Sequence, residues 1–398
     1  MIQQEIRLER PERFEGKYEI AGEKLDRAIE RALDKLEKNI PAWTDQFART
    51  HPIDHRYVPG PNNNWECGMQ TGTYWLAYEL SGNPKFRQVA EAHLPSYRER
   101  FEQKIRIGGH DVGFVYTPSC VAAYKITGDE EIRKMTLDVA EFFYNNAYLK
   151  ERGFVMRSGN KAVTDEKKGC RTMMDTLMNV PLLFWAGQET GDEKFTEAGL
   201  AQSKTTQKYL IREDASSFHH YQFEPYTWKP MRGRTLQGNS DDSCWSRGHS
   251  WGVYGFPIAY SYTKAEFLPE LHKNITYFML NHLPEDLIPY WDYDFIDGDE
   301  PRDSSAGVIA VCGMNEMCKY LPDSAPQKAI FKTASAKMLE AVIDHCAGDI
   351  GVEHDGLIGH VTHAKPQGQG IDQCGIYGDY FYLEALMRFT NPDWNRYW

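Results

Sequence analysis

The chain has 398 residues, a formal net charge of −12 and 13% aromatic side chains. Its 41% hydrophobic and 26% charged residues are typical of a globular protein with an ample core, which excludes disorder over most of the chain. The longest apolar runs are far shorter than the roughly 20 residues that cross a bilayer, which excludes an integral membrane protein. The acidic excess disfavours nucleic-acid binding, because that depends on Lys and Arg neutralising phosphates. An anionic ligand must therefore be met by a local basic cluster.

The first residues and the cysteines indicate the cellular compartment in which we expect the protein. No basic stretch followed by an apolar run opens this sequence, so we expect no secretory signal and a cytoplasmic protein. The eight cysteines form no C-x-x-C pair and no zinc-type spacing. We expect most of them to be reduced, buried and apolar in character.

The first predicted element is a helix within 23–47 that ends near Pro41, and we expect it to pack as an additional outer helix. After it, one pattern recurs: an apolar helix, a short turn with glycine, then a charged amphipathic helix. The three clear turns lie at Gly82, Gly128 and Gly191, and weaker copies turn near residues 264, 322 and 391. Glycine at a helix end, followed by Asp, Asn or Pro, is the usual stop and restart signal. The predicted helix pairs are 66–80 with 86–101, 111–126 with 130–147, and 175–189 with 193–211.

The two helices of each pair differ in polarity. The first is apolar nearly all round, as in 252–259, which indicates a buried helix, and the second carries its charges on one face. Six such hairpins, the last truncated, predict an all-α (α/α)6 barrel with little sheet. We expect residues 1–398 to form a single barrel domain, with residues 1–50 as an N-terminal extension that holds the outer helix.

Polar residues recur at the start of the inner helices. Glu66, Asp111, Asp175 and Arg247 each lie 16 or 17 residues before a turn, so we expect them to converge on one mouth of the barrel. Helix capping is the alternative, and for Glu66 it is as good an interpretation as function. For Asp111 and Asp175 the apolar and aromatic neighbours favour acid–base chemistry, because burial and a second carboxylate both raise a carboxyl pKa.

Arg247 and Trp251 are four residues apart and therefore share a helical face. An arginine there can bind a carboxylate while the tryptophan covers a sugar ring. The alternative is a structural ion pair of Arg247 with Asp241 or Asp242.

The long connection between the third and fourth hairpins, with the stretches 216–223 and 232–239, is also expected to carry function. Adjacent His219 and His220 are a weak zinc signal, and hydrogen bonding to a polar ligand is the better interpretation.

Five motifs in this order resemble the unsaturated glucuronyl hydrolases, glycoside hydrolase family 88. They are Asn64-Trp65-Glu66, the stretch 71–82, His110-Asp111-Val112-Gly113-Phe114, the stretch 173–179 and the stretch 246–252. The resemblance also implies an (α/α)6 barrel. It implies hydration of the C4=C5 double bond in the unsaturated uronate of disaccharides released from chondroitin, hyaluronan or heparin, without a metal or another cofactor.

By the same resemblance, Asp175 is the general acid and base, Asp111 is the second carboxylate, and Trp65 is a stacking surface. The implied substrate-binding residues are Trp65, His110, His219, Gln237, Arg247 and Trp251. The expected partner is a small unsaturated disaccharide or oligosaccharide, bound by a monomer or a dimer.

The loop 360–370 bears on sulfation, because relatives that favour sulfated chondroitin place hydroxyl and lysine side chains there. This chain has Lys365 but no serine in that loop, and Lys365 on a solvated loop is an equally good interpretation. Three other functions stay open: an unsaturated rhamnogalacturonyl hydrolase, an inverting glycosidase on the same fold, and a non-catalytic sugar-binding toroid. A pure binder leaves two desolvated aspartates at one mouth unexplained.

Overall fold

The structure is a computed structural model that describes residues 5–157, 170–348 and 350–398. Its inner helices are α2 (Cys67–Ser81), α4 (Val112–Tyr116) continued through a π-helical turn into α5 (Ala122–Thr127), α7 (Pro181–Thr190), α9 (Ser246–Thr263), α11 (Ser304–Cys318) and α13 (Ile376–Thr390). Its outer helices are α1 (Gly22–Trp43), α3 (Pro84–Glu102), α6 (Glu130–Ala147), α8 (Glu193–Tyr209), α10 (Phe267–Asn281) and α12 (Pro326–His345). Successive inner helices pack side by side, and α13 closes the ring against α2. The predicted (α/α)6 barrel is confirmed.

The glycine turns behave as their sequence predicts. Gly128 ends α5 with φ 71°, and its N–H bonds the carbonyl of Tyr124. Gly82 and Gly191 end α2 and α7 with φ 66° and 72°. Residues with a side chain adopt positive φ angles far less readily than glycine does, which explains why glycine occupies these turns. The side chain of Asp129 then accepts from the first free N–H groups of α6, so one turn ends a helix and starts the next.

Helix α1 completes the ring of outer helices. It packs against α13 and α3, in the outer position that belongs to the hairpin of α13. Lys24 ties it to α12 through Glu340 at 2.8 Å and Asp344 at 2.9 Å. The hairpin of α13, which the repeat analysis called truncated, is therefore completed by a helix from the other end of the chain.

Strands are short, as predicted, but they include one sheet that the pattern analysis did not locate. Two strand pairs are β1 (Phe47–Ala48) with β2 (Pro59–Gly60) and β3 (Tyr148–Leu149) with β4 (Phe154–Val155). A third, antiparallel sheet joins β5 (Cys170–Met173), β6 (His220–Phe223) and β7 (Pro230–Arg234) in that order. It brings the connection between the third and fourth hairpins over the mouth of the barrel.

The described residues contain no helix that is long and apolar enough to cross a bilayer. The eight cysteines are all buried free thiols. The prediction that the cysteines are buried is confirmed.

Buried histidines make the fold sensitive to acid. Burial lowers the pKa of His249 to about 4 and that of His272 to about 3. The unfolded chain, in which histidine has a pKa near 6.5, binds these protons more readily than the folded protein does. We therefore expect the free energy of unfolding to be highest above pH 6.5 and to fall as the pH drops towards 4. Urea titrations between pH 7.5 and 5 measure it. His249→Gln should flatten the slope, and a flat profile in the unsubstituted protein contradicts the prediction.

Candidate active site

A cavity of about 310 Å³ opens at the end of the barrel where the inner helices begin. All eight predicted site residues line it: Trp65, His110, Asp111, Asp175, His219, Gln237, Arg247 and Trp251. The sequence analysis did not single out the further lining residues Arg157, Trp245, His363, Gln367 and Gln369. The repeat count therefore brings Asp111, Asp175 and Arg247 to one mouth, while sheet β5–β6–β7 and the loop 360–370 complete the wall.

His110 joins the two predicted catalytic carboxylates. Its Nε2 lies 3.3 Å from Oδ1 of Asp111 and 3.3 Å from Oδ1 of Asp175. Its Nδ1 lies 3.1 Å from the carbonyl of Arg157 and donates to it. A neutral ring with its proton on Nδ1 would point a lone pair at both carboxylates, so the cluster is favourable only when it holds a further proton. Burial alone would lower the pKa of His110, but the two carboxylates outweigh it and raise that pKa.

The two aspartates differ in their electrostatics. Burial, together with the charge of Asp175, raises the pKa of Asp111 against the opposing effect of His110. Burial would also raise the pKa of Asp175, but the interaction with His110, 3.3 Å away, outweighs burial and lowers it. The expectation of a raised pKa therefore agrees with Asp111 and is wrong for Asp175 in the free protein. The reason is the imidazole shared between them.

His219 is a neutral ring in the wall of the cavity. It is 4% exposed, and burial lowers its pKa to about 4. The ring packs 4.6 Å from that of Trp245, and Nδ1 has no hydrogen-bond partner among the described residues. A polar ligand can satisfy this nitrogen, as the sequence analysis favoured.

Aromatic rings form another part of the wall. Trp65 stacks on Tyr377 with 5.3 Å between ring centroids, and it lies 5.3 Å from Phe114. Phe114 contacts Trp251 in turn at 5.1 Å. Trp65 stays half-buried, whereas Trp251 is 2% exposed. A fixed, flat, apolar surface of this kind suits the face of a sugar ring.

Arg247 is held by a partner that the sequence analysis did not consider. Its guanidinium donates to Asp303 at 2.5 Å, to the carbonyl of Thr362 at 2.8 Å and to that of His363 at 2.6 Å. The arginine and aspartate side chains are 1% and 0% exposed, so the pair is fully buried. The proposed partners Asp241 and Asp242 are wrong. Asp303, directly before α11, is the partner of Arg247 in place of these two loop residues.

Gln237 and Arg247 hold the same backbone group. Nε2 of Gln237 donates to the carbonyl of His363 at 2.9 Å, the oxygen that Arg247 also contacts. These two predicted substrate-binding residues therefore fix the segment at 362–363 against the cavity. The donors that Arg247 uses there are no longer available to a ligand.

Glu66 lies behind the site. It is 1% exposed, it makes no capping bond at the start of α2, and it does not line the cavity. Burial raises its pKa well above the usual value despite the nearby charge of Arg247. The capping interpretation is wrong for this residue.

Lys365 is engaged at the side of the cavity. It forms an ion pair with Glu300, and its Nζ lies 5.1 Å from the ring of Trp291. The neighbouring residues that line the cavity are neutral: Ala364, Gln367 and Gln369. Lys365 is therefore partly exposed and paired with Glu300, outside the lining of the cavity, and a role in binding sulfate stays a prediction.

The cluster of His110, Asp111 and Asp175 also has the dimensions of a cation site, because one ligand atom from each lies within 4.8 Å of the others. A shared proton on His110 explains the same arrangement without an ion. We therefore expect activity to be unchanged by EDTA treatment and dialysis. Recovery of lost activity by a divalent cation would contradict this prediction.

Comparison with known proteins agrees with this geometry. A family profile described as Glycosyl Hydrolase Family 88 matches residues 36–388. The unsaturated chondroitin disaccharide hydrolase of Streptococcus pneumoniae is 41% identical over 98% of both chains. The crystal structure of an unsaturated glucuronyl hydrolase from Streptococcus agalactiae superposes with a TM-score of 0.94 at 36% identity, covering 99% of this chain and 98% of that one. A variant of that enzyme complexed with dGlcA-GalNAc6S gives a TM-score of 0.86 at 35% identity, with the same coverage. The chain belongs to glycosyl hydrolase family 88, as its motifs predict.

Proposed function

We propose that the protein removes the unsaturated glucuronyl residue from glycosaminoglycan disaccharides by hydrating its C4=C5 double bond. The observation that carries this proposal is the pair Asp111 and Asp175 bridged by His110 in a cavity with an aromatic wall. The similarity to an unsaturated chondroitin disaccharide hydrolase supports the substrate class. The cavity volume of about 310 Å³ lies at the lower end of small-molecule sites, roughly 300–1,000 Å³.

The chemistry requires one group that gives a proton and takes one back. Asp175 protonates C4 of the enol ether, and the positive charge that develops is shared between C5 and the ring oxygen. Water adds to C5 and returns its proton to Asp175, after which the hemiketal opens and releases the second sugar. Each catalytic cycle thus leaves the carboxyl in its starting state.

The cluster supplies that proton and stabilises the charge. The two carboxylates raise the pKa of His110 and so favour a proton on Nε2, 3.3 Å from Asp175, which can pass to that carboxylate when the substrate excludes water. Asp111 is the more exposed of the two aspartate side chains, at 40% against 16%, and it binds a ring hydroxyl and stabilises positive charge. Trp65 covers the face of the ring.

An absorbance assay tests the proposal. The conjugated double bond of unsaturated hyaluronan, chondroitin and heparin disaccharides absorbs in the ultraviolet, and hydration removes that absorbance. We expect loss of signal with unsaturated substrates and no release of sugar from their saturated counterparts. Release from saturated substrates with inversion at the anomeric carbon would instead identify an inverting glycosidase. Activity restricted to pectin-derived fragments would identify a rhamnogalacturonyl hydrolase, and binding without turnover would identify a sugar-binding toroid.

We also propose that the protein works in the cytoplasm. The support is its set of buried free thiols, which suits a reducing compartment. Activity that co-purifies with a cytoplasmic marker in fractionated cells is the expected result, and recovery in the secreted fraction contradicts it.

A further inference from the structure

The sheet β5–β6–β7 has two chemically different faces. Directly paired residues point to the same side, and residues two apart on a strand do as well. One face carries Arg171 opposite Gln222 and Arg232, and Met173 opposite His220 and Arg234. The opposite face carries Cys170 and Phe223, which pack with Phe154 and Met156 in a small apolar core. The sheet therefore turns three arginines and a histidine away from that core.

His220 is unusual within this group. Its side chain is 0% exposed, and neither ring nitrogen has a hydrogen-bond partner among the described residues. Burial, followed by the charges of neighbouring histidine and arginine side chains, lowers its pKa to about 2, so the ring is neutral. A buried polar ring without partners is unfavourable, and it indicates a group that binds there.

The surrounding arginines repel one another. Nε of Arg171 is buried without a partner, and burial together with Arg157 and Arg234 lowers the pKa of Arg171 to about 10. Arg234 is balanced by Asp241, with Nε 3.0 and 2.9 Å from its two oxygens. Arg157 and Arg171 have no such acidic partner among the described residues. In a chain with a net charge of −12, such a cluster is a local basic site for an anion.

This cluster adjoins the catalytic cavity. Arg157 lines the cavity together with Asp111 and Asp175. The ring of His219, which also lines it, lies 5.9 Å from the ring of His220. The other arginine in the lining is Arg247, whose charge is already balanced by Asp303. Among the described residues, Arg157 is therefore the lining arginine whose charge no carboxylate pairs at ion-pair distance.

We propose that Arg157, Arg171 and His220, flanked by Arg234, form an anion subsite that binds the carboxylate or sulfate of the substrate. The inference rests on the proposed function and identifies how that site recognises charge. Arg157 contacts the anion from the cavity side, whereas Arg171 and the buried His220 do not line the cavity and act from the sheet behind it. A bound anion offsets the repulsion between the guanidinium groups and accepts charge-assisted hydrogen bonds.

Steady-state kinetics of Arg157→Gln test the subsite. Arg157 is exposed, so the substitution leaves the core intact. We expect KM to rise roughly 10- to 100-fold with a smaller change in kcat, because bonds to a charged group are lost. An equal rise for unsulfated and sulfated disaccharides assigns the uronate carboxylate, and a rise for sulfated ones alone assigns the sulfate. Arg27→Gln on the outer helix α1, where Arg27 is exposed, should leave KM unchanged.

Arg157→Lys and Arg171→Gln sharpen the result. Lysine keeps the charge without the planar fork of donors, so we expect partial recovery of KM. Inorganic sulfate should bind the unsubstituted protein in calorimetry and inhibit competitively, and Arg171→Gln should weaken both effects. An active enzyme whose KM and sulfate binding are unchanged in Arg157→Gln and Arg171→Gln overturns the subsite. If the unsubstituted protein hydrates no unsaturated disaccharide, the proposed function is refuted. The subsite is then tested by calorimetry alone, and sulfate binding that is absent or unchanged in Arg171→Gln overturns it.

Discussion

Asp175→Asn is expected to lower kcat by roughly 10²- to 10⁴-fold, the usual contribution of a positioned acid and base. The amide keeps the shape of the side chain but can neither give a proton to C4 nor take one from water. Asp111 lies 3.3 Å from the same nitrogen of His110 as Asp175 does and stays in place to balance the imidazole, so the fold and the binding of the disaccharide should change little. Ultraviolet absorbance of the double bond measures kcat, and calorimetry with the disaccharide measures binding.

Two further variants test whether the cluster acts as a unit. Asp26→Asn changes an exposed carboxylate on α1 and should leave kcat unchanged. His110→Asn removes the group that holds the proton and should lower kcat on its own. If Asp175 and His110 act together, the double variant is little worse than Asp175→Asn alone, because the same proton transfer is already lost. Normal turnover by Asp175→Asn would remove the assignment of the acid.

The repeat pattern predicted the barrel because each hairpin carries its own local signals. Glycine turns at 82, 128 and 191 and the contrast between apolar inner and charged outer helices are written within about 40 residues of sequence. The closing of the ring is not local. Nothing within residues 23–47 specifies that α1 packs beside α13, since that contact joins opposite ends of the chain. The pairing of β5 with β6 was missed for the same reason, because these strands pair across α7 and α8.

The residues of the candidate site also divide into those with a signal in the sequence repeat and those placed only by tertiary packing. Asp111, Asp175 and Arg247 were found because they occupy equivalent positions in successive repeats. Counting the same 16 or 17 residues back from the turn near residue 322 leads to the start of α11, so the repeat also carries a signal close to Asp303. Arg157 and His363 lie outside the repeat, in connections whose path depends on tertiary packing. The pKa of Asp175 could not be inferred, because it depends on the position of His110 between two carboxylates.

Arg247→Ala is expected to destabilise the fold by about 3–5 kcal/mol, the cost of leaving one partner of a buried ion pair alone. Asp303 is 0% exposed and would keep a charge without its guanidinium, and the carbonyls of Thr362 and His363 would lose their donors. Urea titration measures the loss. The segment at 362–363 lines the cavity through His363, so KM should rise together with the loss of stability.

The pH dependence separates this structural role from direct binding of a carboxylate. Burial already raises the pKa of Asp303 against the effect of Arg247, and removing the arginine raises it further. In Arg247→Ala, the pKa of Asp303 in the folded protein lies still further above its value in the unfolded chain. The folded variant therefore holds a proton on Asp303 in acid and must lose it without a positive partner as the pH rises. The loss of stability caused by Arg247→Ala should therefore grow as the pH rises to neutrality. The double variant Arg247→Met with Asp303→Leu removes both charges and should recover most of the stability while KM stays high. Unchanged stability with a raised KM in Arg247→Ala would show instead that Arg247 serves the ligand directly. That result would transfer to Arg247 the role that the geometry gives to Arg157.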